Sequence, residues 1–325
     1  MAPQNHQTEI APYGKAAIEH ASRLIAEGQP VAVPTETVYG LAADATSQEA
    51  VERVFEAKGR PAFNPLIVHV ADLASAERLA HFTEPARAAA LAWWPGALTL
   101  VLPLREDSGI APEVTAGLGT IALRCPAHKA MQDLLRACGR PLAAPSANAS
   151  GTVSPTCADH VLKSLDGRIR LIVDGGRAAL GVESTIVAFT DGVVRLLRPG
   201  PVPFDDVAAL ASLAEGQRED RIEAPGQMRN HYSPAKPLRI DAPSAEADEW
   251  MIGFGPVKGN DTLSASGSLE EAAARLFACL HRADLQSRSR IAVAPVPRGG
   301  IGEAINDRLA RAAAPRPETE LSRPA

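Results

Sequence analysis

The 325-residue sequence contains only four cysteines, Cys125, Cys138, Cys157 and Cys279, and they lie far apart along the chain. They form no CxxC pair and no cysteine–histidine cluster, which argues against a structural zinc site and against a redox pair. We therefore expect reduced cysteines that pack in the core.

The sequence also lacks a hydrophobic run that could cross a membrane. The longest apolar stretch, residues 91–104, is interrupted by Pro95 and Pro103 and is shorter than the roughly 20 residues that span a bilayer. The N-terminal residues have no basic region followed by an apolar one, so they do not resemble a secretory signal. These features predict a cytoplasmic protein that does not associate with membranes.

Aromatic residues make up only 4% of the sequence, and the basic residues form no cluster. The 33 basic and 38 acidic residues give a net charge of -5. Proteins that hold single-stranded nucleic acid use basic grooves and aromatic stacking surfaces, so we expect no stable nucleic-acid binding. The remaining composition, with 46% hydrophobic and 22% charged residues, is typical of a globular protein, and the length indicates two domains.

The hydrophobic pattern predicts a first α/β domain over residues 10–200, with a sheet of mixed strand directions. Helices are predicted at residues 16–27, from a capping box at 46–49 to near 59, at 127–138, and after Ser154-Pro155. Strands are predicted at residues 31–33, 66–70, 98–102, 120–123, 171–173, 185–188 and 193–197.

The pattern weakens over residues 201–236, where proline, glycine and charged residues predict a linker that could act as a lid. A second, smaller α/β domain is predicted over residues 237–315. Its strands are expected at residues 237–240, 250–254 and 290–294, and its first helix at a capping box, residues 268–271. We expect the tail, residues 316–325, to be frayed.

Three polar segments follow predicted strands. The first, PTETVYGLAAD at residues 34–44, places Thr35, Glu36, Thr37 and Tyr39 in an expected loop, where they could face a small ligand. The threonines could equally bond only the backbone of the turn.

The second segment, AKGRPAFNPLIVHV at residues 57–70, brings Lys58 and Arg60 together at a turn without an acidic neighbour in sequence. A compact lysine charge beside a planar guanidinium suits a polyphosphate. The alternative is a lysine stabilised by the helix dipole next to a solvated arginine. His69 lies in an apolar strand, where a core histidine is the common outcome.

The third segment, APSANASGTVSP at residues 144–155, offers small hydroxyl and amide groups before a helix, which could hold phosphate or ribose oxygens or could simply form a capped loop. Arg124 ends a predicted strand, and a buried arginine needs an anionic partner, for which a carboxylate ligand would serve.

Taken together and in this order, the segments resemble the threonylcarbamoyl-AMP synthases, the YrdC-type enzymes of tRNA modification. The resemblance rests on PTETVYGL, KGRPAFNPLIVH, TIALRCP, PSAN, GVESTI and RLLRPG between about Gly14 and Gly200. The linker APGQMRNHYSP and the ending GGIGEAINDRLARAA resemble the longer, two-domain form of the family. This resemblance implies a YrdC-like twisted mixed sheet with helices and a smaller, Rossmann-like C-terminal α/β domain.

The resemblance also implies an activity. L-threonine, bicarbonate and ATP would give threonylcarbamoyl-adenylate and pyrophosphate, for modification of tRNA at the adenosine next to the anticodon. This is a nucleotidyltransferase reaction, in which Mg²⁺ would arrive with ATP and the protein would supply no metal site. A downstream threonylcarbamoyl transferase complex is a candidate partner.

Site residues carry over by their positions in the shared motifs. The signature catalytic and nucleotide-binding residues would be Lys58, Arg60, Ser146 and Asn148. Threonine would be bound by Thr35 or Thr37, His69, Arg124 and Ser184. ATP would also contact Asn64, Thr120, Ala144, Ser154, Arg198, His231 and Tyr232, the last two closing over it from the linker.

Two other functions remain open at this point. A carbamoyl-transfer enzyme of hydrogenase maturation contains a related domain, but it also carries CxxC pairs that this sequence lacks. A non-catalytic RNA-binding module would use the same pocket and would show strongly salt-dependent affinity.

Overall fold

The computed structural model describes residues 7–211, 214–215, 224–225 and 231–315. The predicted tail, residues 316–325, lies outside the described residues, and so does part of the predicted linker, at 212–213, 216–223 and 226–230. In the part of the chain that the structure describes, the strands form one eleven-stranded mixed sheet and one four-stranded sheet. The two sheets with their helices confirm the predicted α/β fold class.

The described residues form ten helices, and the apolar spacing predicts those near residues 16–27, 46–59 and 127–138 and the one that starts near residue 268. They are α1 (Lys15–Ala26), α2 (Gln48–Lys58), α3 (Leu73–Glu77), α4 (Glu84–Trp93), α5 (Pro112–Thr115), α6 (Lys129–Cys138), α7 (Ala158–Leu165), α8 (Phe204–Ala211), α9 (Leu269–Asp284) and α10 (Ile301–Ala312). In α1, for example, Ile18, Ala21 and Leu24 are buried on one face. Helix α2 ends where Gly59 adopts a left-handed conformation with φ of 59°.

The large sheet contains β1 (Glu9–Pro12), β2 (Val31–Pro34), β3 (Tyr39–Asp44), β4 (Ile67–His69), β5 (Leu98–Pro103), β6 (Thr120–Arg124), β7 (Leu142–Ala143), β8 (Leu171–Asp174), β9 (Thr185–Thr190), β10 (Val193–Arg198) and β11 (Ala214–Glu215). Their order across the sheet is β1-β8-β2-β3-β7-β4-β6-β5-β9-β10-β11. The sheet also includes β11, which lies beyond residue 200 and pairs with β10. The sequence predicts that the first domain ends at residue 200, before this strand.

Both faces of the large sheet are covered, because alternate residues of its strands point to opposite sides. In β2, Val31 and Val33 pack with helices α1 and α6, whereas Ala32 packs on the other face with residues of α2. Because both faces are buried, the sequences of these strands are continuous apolar runs rather than alternations of apolar and polar residues.

The second sheet contains β12 (Leu238–Arg239), β13 (Glu249–Gly253), β14 (Asp261–Thr262) and β15 (Arg290–Val293), in the order β12-β15-β13-β14. All three of its strand pairs are parallel. Helix α9 begins as predicted, because the Ser268 hydroxyl accepts a hydrogen bond from the Glu271 amide at 3.1 Å. Residues of α9 and α10 pack on this sheet and form a second core.

Two local predictions in the first half are wrong. Tyr39 does not lie in a loop: it begins β3, because residues 34 and 39 pair in an antiparallel hairpin. Helix α2 is capped by Ser47, which accepts from the Ala50 amide, and not by Thr46, whose hydroxyl donates to Asp44 instead. The Thr46 amide donates to the same Asp44 oxygen at 2.9 Å, so residues 44–46 form a local turn and the helix cap falls one residue later.

The helix predicted to start after Ser154-Pro155 begins later. Helix α7 starts at Ala158, with Cys157 at the cap position. The Ser154 hydroxyl donates to the Glu183 carboxylate at 2.5 Å, so it is engaged by a residue 29 positions away rather than by the helix.

The two sheets share a boundary that is packed with side chains from both. Tyr232 of the linker lies in the second core and stacks on Phe277 of α9, with ring centroids 5.5 Å apart. His160 of α7 stacks on His281 of α9 at 3.8 Å.

None of the helices in the described ranges has the length and hydropathy needed to cross a membrane.

Candidate active site

A buried cavity of about 50 Å³ lies where several strands of the large sheet end. Strands β4 and β6 are parallel neighbours, and their last residues, His69 and Arg124, are register partners that both line the cavity. His231 and Tyr232 of the linker also line it. Ligand pockets commonly enclose about 300 Å³ or more, so this cavity is smaller than a nucleotide site.

Arg60 lines this cavity and Lys58 lies behind its wall, and the side chains of Lys58 and Arg60 are buried, at 2% and 8% exposure. The Lys58 ammonium donates to the carbonyl oxygens of Ser146 and Asn148, each at 2.5 Å. Arg60 donates to the carbonyl oxygen of residue 64 at 3.1 Å and to that of residue 65 at 2.7 Å. Within the described ranges, neither cation forms an ion pair, so their charge is met only by carbonyl dipoles.

The turn between them explains this arrangement. Lys58 is the last residue of α2. The left-handed Gly59 reverses the chain after it, and Arg60 follows this turn. Burial, and then the charge of Arg60, hold the pKa of Lys58 well below its usual value. Burial lowers the pKa of Arg60 to about 9. Both shifts mean that the charged forms lack a counter-charge, which a bound anion would supply.

Arg198, at the end of β10, is a third buried cation on this side of the cavity. It donates to the carbonyl oxygen of Ser184 at 3.0 Å and to its hydroxyl at 3.1 Å. The Ser184 hydroxyl also lies 2.7 Å from that of Thr99. Burial lowers the pKa of Arg198 as well.

The other side of the cavity is built around Arg124. Its guanidinium donates to Glu36 at 2.6 Å, to the Thr37 hydroxyl at 2.9 Å and to a backbone carbonyl. The anionic partner that the sequence predicts for this arginine is therefore present in the protein as Glu36. Burial alone would raise the pKa of Glu36, but the attraction of Arg124 and its hydrogen bonds outweigh it and lower that pKa.

Thr35 and Thr37 lie in the turn between β2 and β3. Their hydroxyls are 2.8 Å apart, and the Thr35 hydroxyl also donates to the Val38 carbonyl at 2.7 Å. The threonines bond the turn and also line the cavity, so a ligand-binding role for them stays a prediction.

His69 is 2% exposed, and neither of its ring nitrogens has a hydrogen-bond partner among the described residues. Burial, followed by the charge of Arg124, lowers its pKa to about 3, so the ring is neutral near pH 7. A buried polar group without a partner is costly, and a ligand in the cavity can satisfy this one.

The structure brings most of the predicted site residues together. The cavity wall includes Thr35, Thr37, Arg60, His69, Arg124, Ala144, Ser146, Arg198, His231 and Tyr232. Directly behind that wall, Lys58 bonds residues 146 and 148, Ser184 bonds Arg198, and Ser154 bonds Glu183. The buried Asn64 offers its carbonyl oxygen to Arg60.

Thr120 is the exception. It begins β6, four residues before Arg124, and strands rise about 3.3 Å per residue, which places the two about 13 Å apart. It does not line the cavity.

The sequence places Glu36 among the loop residues that could face a ligand, but it does not indicate that Glu36 pairs with Arg124. One further acidic residue and one arginine of the site are not predicted from the sequence. Glu183 also lines the cavity, and its carboxylate pairs with Arg308 of α10 at 2.9 Å. Arg308 lies 125 residues away in a helical pattern, so no local signal could have identified it.

The arrangement divides chemically into two parts. Three buried cations with no carboxylate partner among the described residues, Lys58, Arg60 and Arg198, are suited to phosphate groups. Arg124, the threonine hydroxyls and the neutral His69 are suited to a small polar molecule with a carboxylate.

Comparisons with known proteins match both domains of the chain. A family profile described as "Telomere recombination" (Sua5, YciO, YrdC) matches residues 23–200, and one described as "Threonylcarbamoyl-AMP synthase, C-terminal domain" matches residues 202–314. The threonylcarbamoyl-AMP synthase of Bacillus subtilis is 40% identical over 324 residues, which cover 92% of this chain and 93% of that protein. That of Pyrococcus abyssi is 39% identical over 320 residues, covering 91% and 93%.

The fold also matches a solved structure. The crystal structure of Pyrococcus abyssi Sua5 complexed with L-threonine superposes with a TM-score of 0.86 at 37% identity, covering 94% of this chain and 98% of that one. Both profiles and both relatives extend over the two sheets described above. The chain therefore belongs to the threonylcarbamoyl-AMP synthase family.

Proposed function

We propose that this enzyme makes threonylcarbamoyl-adenylate and pyrophosphate from L-threonine, bicarbonate and ATP, for modification of tRNA at the adenosine next to the anticodon. The observation that carries the proposal is a group of buried cations, Lys58, Arg60 and Arg198, that have no carboxylate partner in the described part of the chain and lie beside a polar pocket around Arg124. The reaction makes it a nucleotidyltransferase.

Negative charge builds up during this reaction where the cations lie. The threonine amine joins bicarbonate with loss of water, and an oxygen of the resulting carbamate attacks the α-phosphorus of ATP. The bond from that phosphorus to the bridging oxygen breaks, and pyrophosphate leaves with the electron pair. Cations fixed in a buried site stabilise such charge without reorganising.

The polar pocket would hold the amino acid. A relative of this chain was crystallised with L-threonine, and we extend that ligand to this chain. The threonine carboxylate would lie against Arg124, whose direction is fixed by Glu36 and Thr37, and the unpartnered nitrogens of His69 would bond its polar groups. Such fixed placement of the amine favours the first bond-forming step.

The residues fit a magnesium ion that ATP carries with it. The described residues contain no cluster of three or more His, Cys, Asp or Glu side chains that could hold a metal. Both oxygens of Glu183, the carboxylate in the nucleotide half, are already engaged by Ser154 and Arg308. Magnesium is commonly bound through substrate phosphates and water, and there it would neutralise part of the triphosphate charge.

The linker would act as a lid. His231 and Tyr232 are buried and line the cavity, so we expect them to move when ATP enters and to exclude water from the activated product when they return. A mixed carbamic–phosphoric anhydride hydrolyses readily, which favours direct transfer to a threonylcarbamoyl transferase complex. We propose that this transfer takes place in the cytoplasm.

The test measures pyrophosphate release from ATP with threonine and bicarbonate each omitted in turn. We expect release to require both. Replacing Lys58 by Met should lower the rate at least about 10-fold, because a lost charge-assisted contact costs on the order of 1.5 to 3 kcal/mol. Replacing Lys15, whose side chain is 91% exposed, by Met is the matched control and should leave the rate unchanged. Release that continues without threonine would contradict the proposal.

A further inference from the structure

Arg308 of α10 is completely buried, yet it belongs to the second sheet domain and reaches the wall of the cavity. Its Nε donates to the Glu183 carboxylate at 2.9 Å, and one Nη donates to the Pro199 carbonyl at 2.9 Å. Its guanidinium also lies over the ring of Tyr232, 5.4 Å from the centroid. One side chain thus contacts three separate segments next to the cavity.

Each of these segments carries a residue of the nucleotide half. Glu183 lines the cavity, and its other oxygen accepts from Ser154. Pro199 follows Arg198, which bonds Ser184, the residue after Glu183. Tyr232 closes the cavity from the linker. Arg308 therefore contacts the segments of both Ser184 and Arg198, which bond each other, and it also contacts Tyr232 of the linker.

Arginine is suited to this role for a physical reason. Its planar guanidinium offers several donors in fixed directions and a face that packs on an aromatic ring, so it can hold three partners in one geometry. The position also requires a charge, because removing it would leave the Glu183 carboxylate buried with only a hydroxyl donor.

We propose that Arg308 is a positioning residue for the nucleotide half of the active site, through which the second domain fixes Glu183, the Arg198 segment and Tyr232. It does not touch the reacting atoms. The proposal rests on the proposed function only in taking ATP as the ligand of this half.

The test measures the dissociation constant of ATP by titration calorimetry for the wild-type chain, Arg308→Met and Arg308→Lys. Reversible unfolding raises the measured constant only by the inverse of the folded fraction, which circular dichroism gives for each variant. A rise beyond that factor therefore reports positioning rather than stability. We expect Arg308→Met to raise it at least about 10-fold, and Arg308→Lys, which keeps the charge but not the fork, at least about threefold.

The matched control is Arg239→Met. Arg239 pairs with Glu249, a carboxylate with 0% side-chain exposure, within the second sheet domain. Removing it weakens a buried ion pair of the second domain, because Glu249 then keeps only Arg290 at 3.5 Å and the Glu246 amide at 2.8 Å. The dissociation constant of ATP should stay within about twofold of wild type. A similar rise in this control would overturn the proposal, because any weakening of the second domain would then suffice.

A dissociation constant for folded Arg308→Met within about twofold of wild type would also overturn it. If that variant does not fold, the same result for Arg308→Lys is decisive. Threonine KM values from pyrophosphate release provide a second readout and should change by less than about threefold. A wild-type chain that binds ATP but releases no pyrophosphate would contradict the proposed function while the Arg308 result still stands.

Discussion

At the scale of single residues, the site is defined by which buried charges have partners. Among the described residues, Arg124 has the Glu36 carboxylate, whereas Lys58 and Arg60 have only carbonyl oxygens. A buried charge without a counter-ion is unfavourable, and a bound polyphosphate relieves this cost for the two cations at once. The paired Arg124 is instead fixed in direction, which suits recognition of a small ligand.

This difference leads to a prediction for Arg124→Lys. A lysine offers a compact charge and cannot reproduce the fork that reaches Glu36, Thr37 and the Gly96 carbonyl together. We expect the KM for threonine to rise at least about 10-fold while the dissociation constant of ATP changes by less than about threefold. Steady-state kinetics and titration calorimetry measure the two.

The matched control is Arg53→Lys. Arg53 pairs with Glu49 on the surface of α2 at 2.6 Å, so the substitution makes the same chemical change outside the cavity. An Arg124→Lys chain with the threonine KM of wild type would remove Arg124 from the binding site.

How much of the site could be predicted depended on whether its residues belong to local polar segments. The polar segments made Lys58, Arg60 and Ser146 candidates, but only the family resemblance favoured a nucleotide site over a turn or a capped loop. Glu183 and Arg308 could not be predicted, because their pairing joins residues 125 positions apart in different domains. A single sequence, read by itself, contains no signal that two such distant residues form a pair.

At the scale of helices and strands, the apolar periodicity predicted most elements, and the errors arose where a polar side chain had a better partner in the fold. Ser154 looked like a helix cap but donates to Glu183, and α7 begins later at Ala158. Strand β1 was not predicted for a different reason. It is a short and largely exposed strand, and it forms only because it pairs with β8, about 160 residues away.

One loop next to the site is constrained by the second domain. Gly181 has a φ of 69°, and a Cβ added there would lie 2.4 Å from the carbonyl oxygen of Ala273 in α9. That oxygen belongs to a helix backbone and cannot turn aside. Glu183 lies two residues after Gly181. The close contact at Gly181 therefore fixes the loop against α9 beside the cavity.

We therefore expect Gly181→Ala to lower the free energy of unfolding by about 1 to 3 kcal/mol more than Gly176→Ala does. Gly176 is the matched control because it also has a positive φ, 83°, but a Cβ there would meet no atom within 4 Å. The left-handed backbone costs both variants a similar amount. Chemical denaturation measures the difference, and equal losses would show that the loop can move away from α9.

At the scale of the whole molecule, the two sheets are joined by buried contacts rather than by the linker alone. The second core includes Val38, Val153 and Val182 of the first sheet domain together with Leu276 and Phe277 of α9. Since these valines adjoin cavity residues, folding of the second domain and formation of the active site are coupled in one structure. A stability change at the boundary should therefore act on both.

The stacked pair His160 and His281 makes this boundary sensitive to acid. Burial, and for His160 also the neighbouring ring of His281, lowers their pKa values to about 3 and about 4. In the unfolded chain a histidine has a pKa of about 6.5. As the pH falls from about 6.5 towards 4, the unfolded chain therefore takes up protons that the folded chain does not, and the free energy of unfolding decreases.

The prediction concerns His281→Gln, since a glutamine amide can still donate to the Ser154 carbonyl, which lies 3.1 Å from the ring nitrogen, but cannot titrate. Each such histidine contributes a slope of up to about 1.4 kcal/mol per pH unit in this window. The variant should lose less stability than wild type on acidification, by up to that amount per unit, although it is less stable near pH 7 because the stacking is lost. Urea denaturation at several pH values between 4.5 and 7 measures both slopes. Parallel curves for the two chains would mean that His281 is protonated in the folded protein as easily as in the unfolded one, and that the boundary is open to water at this point.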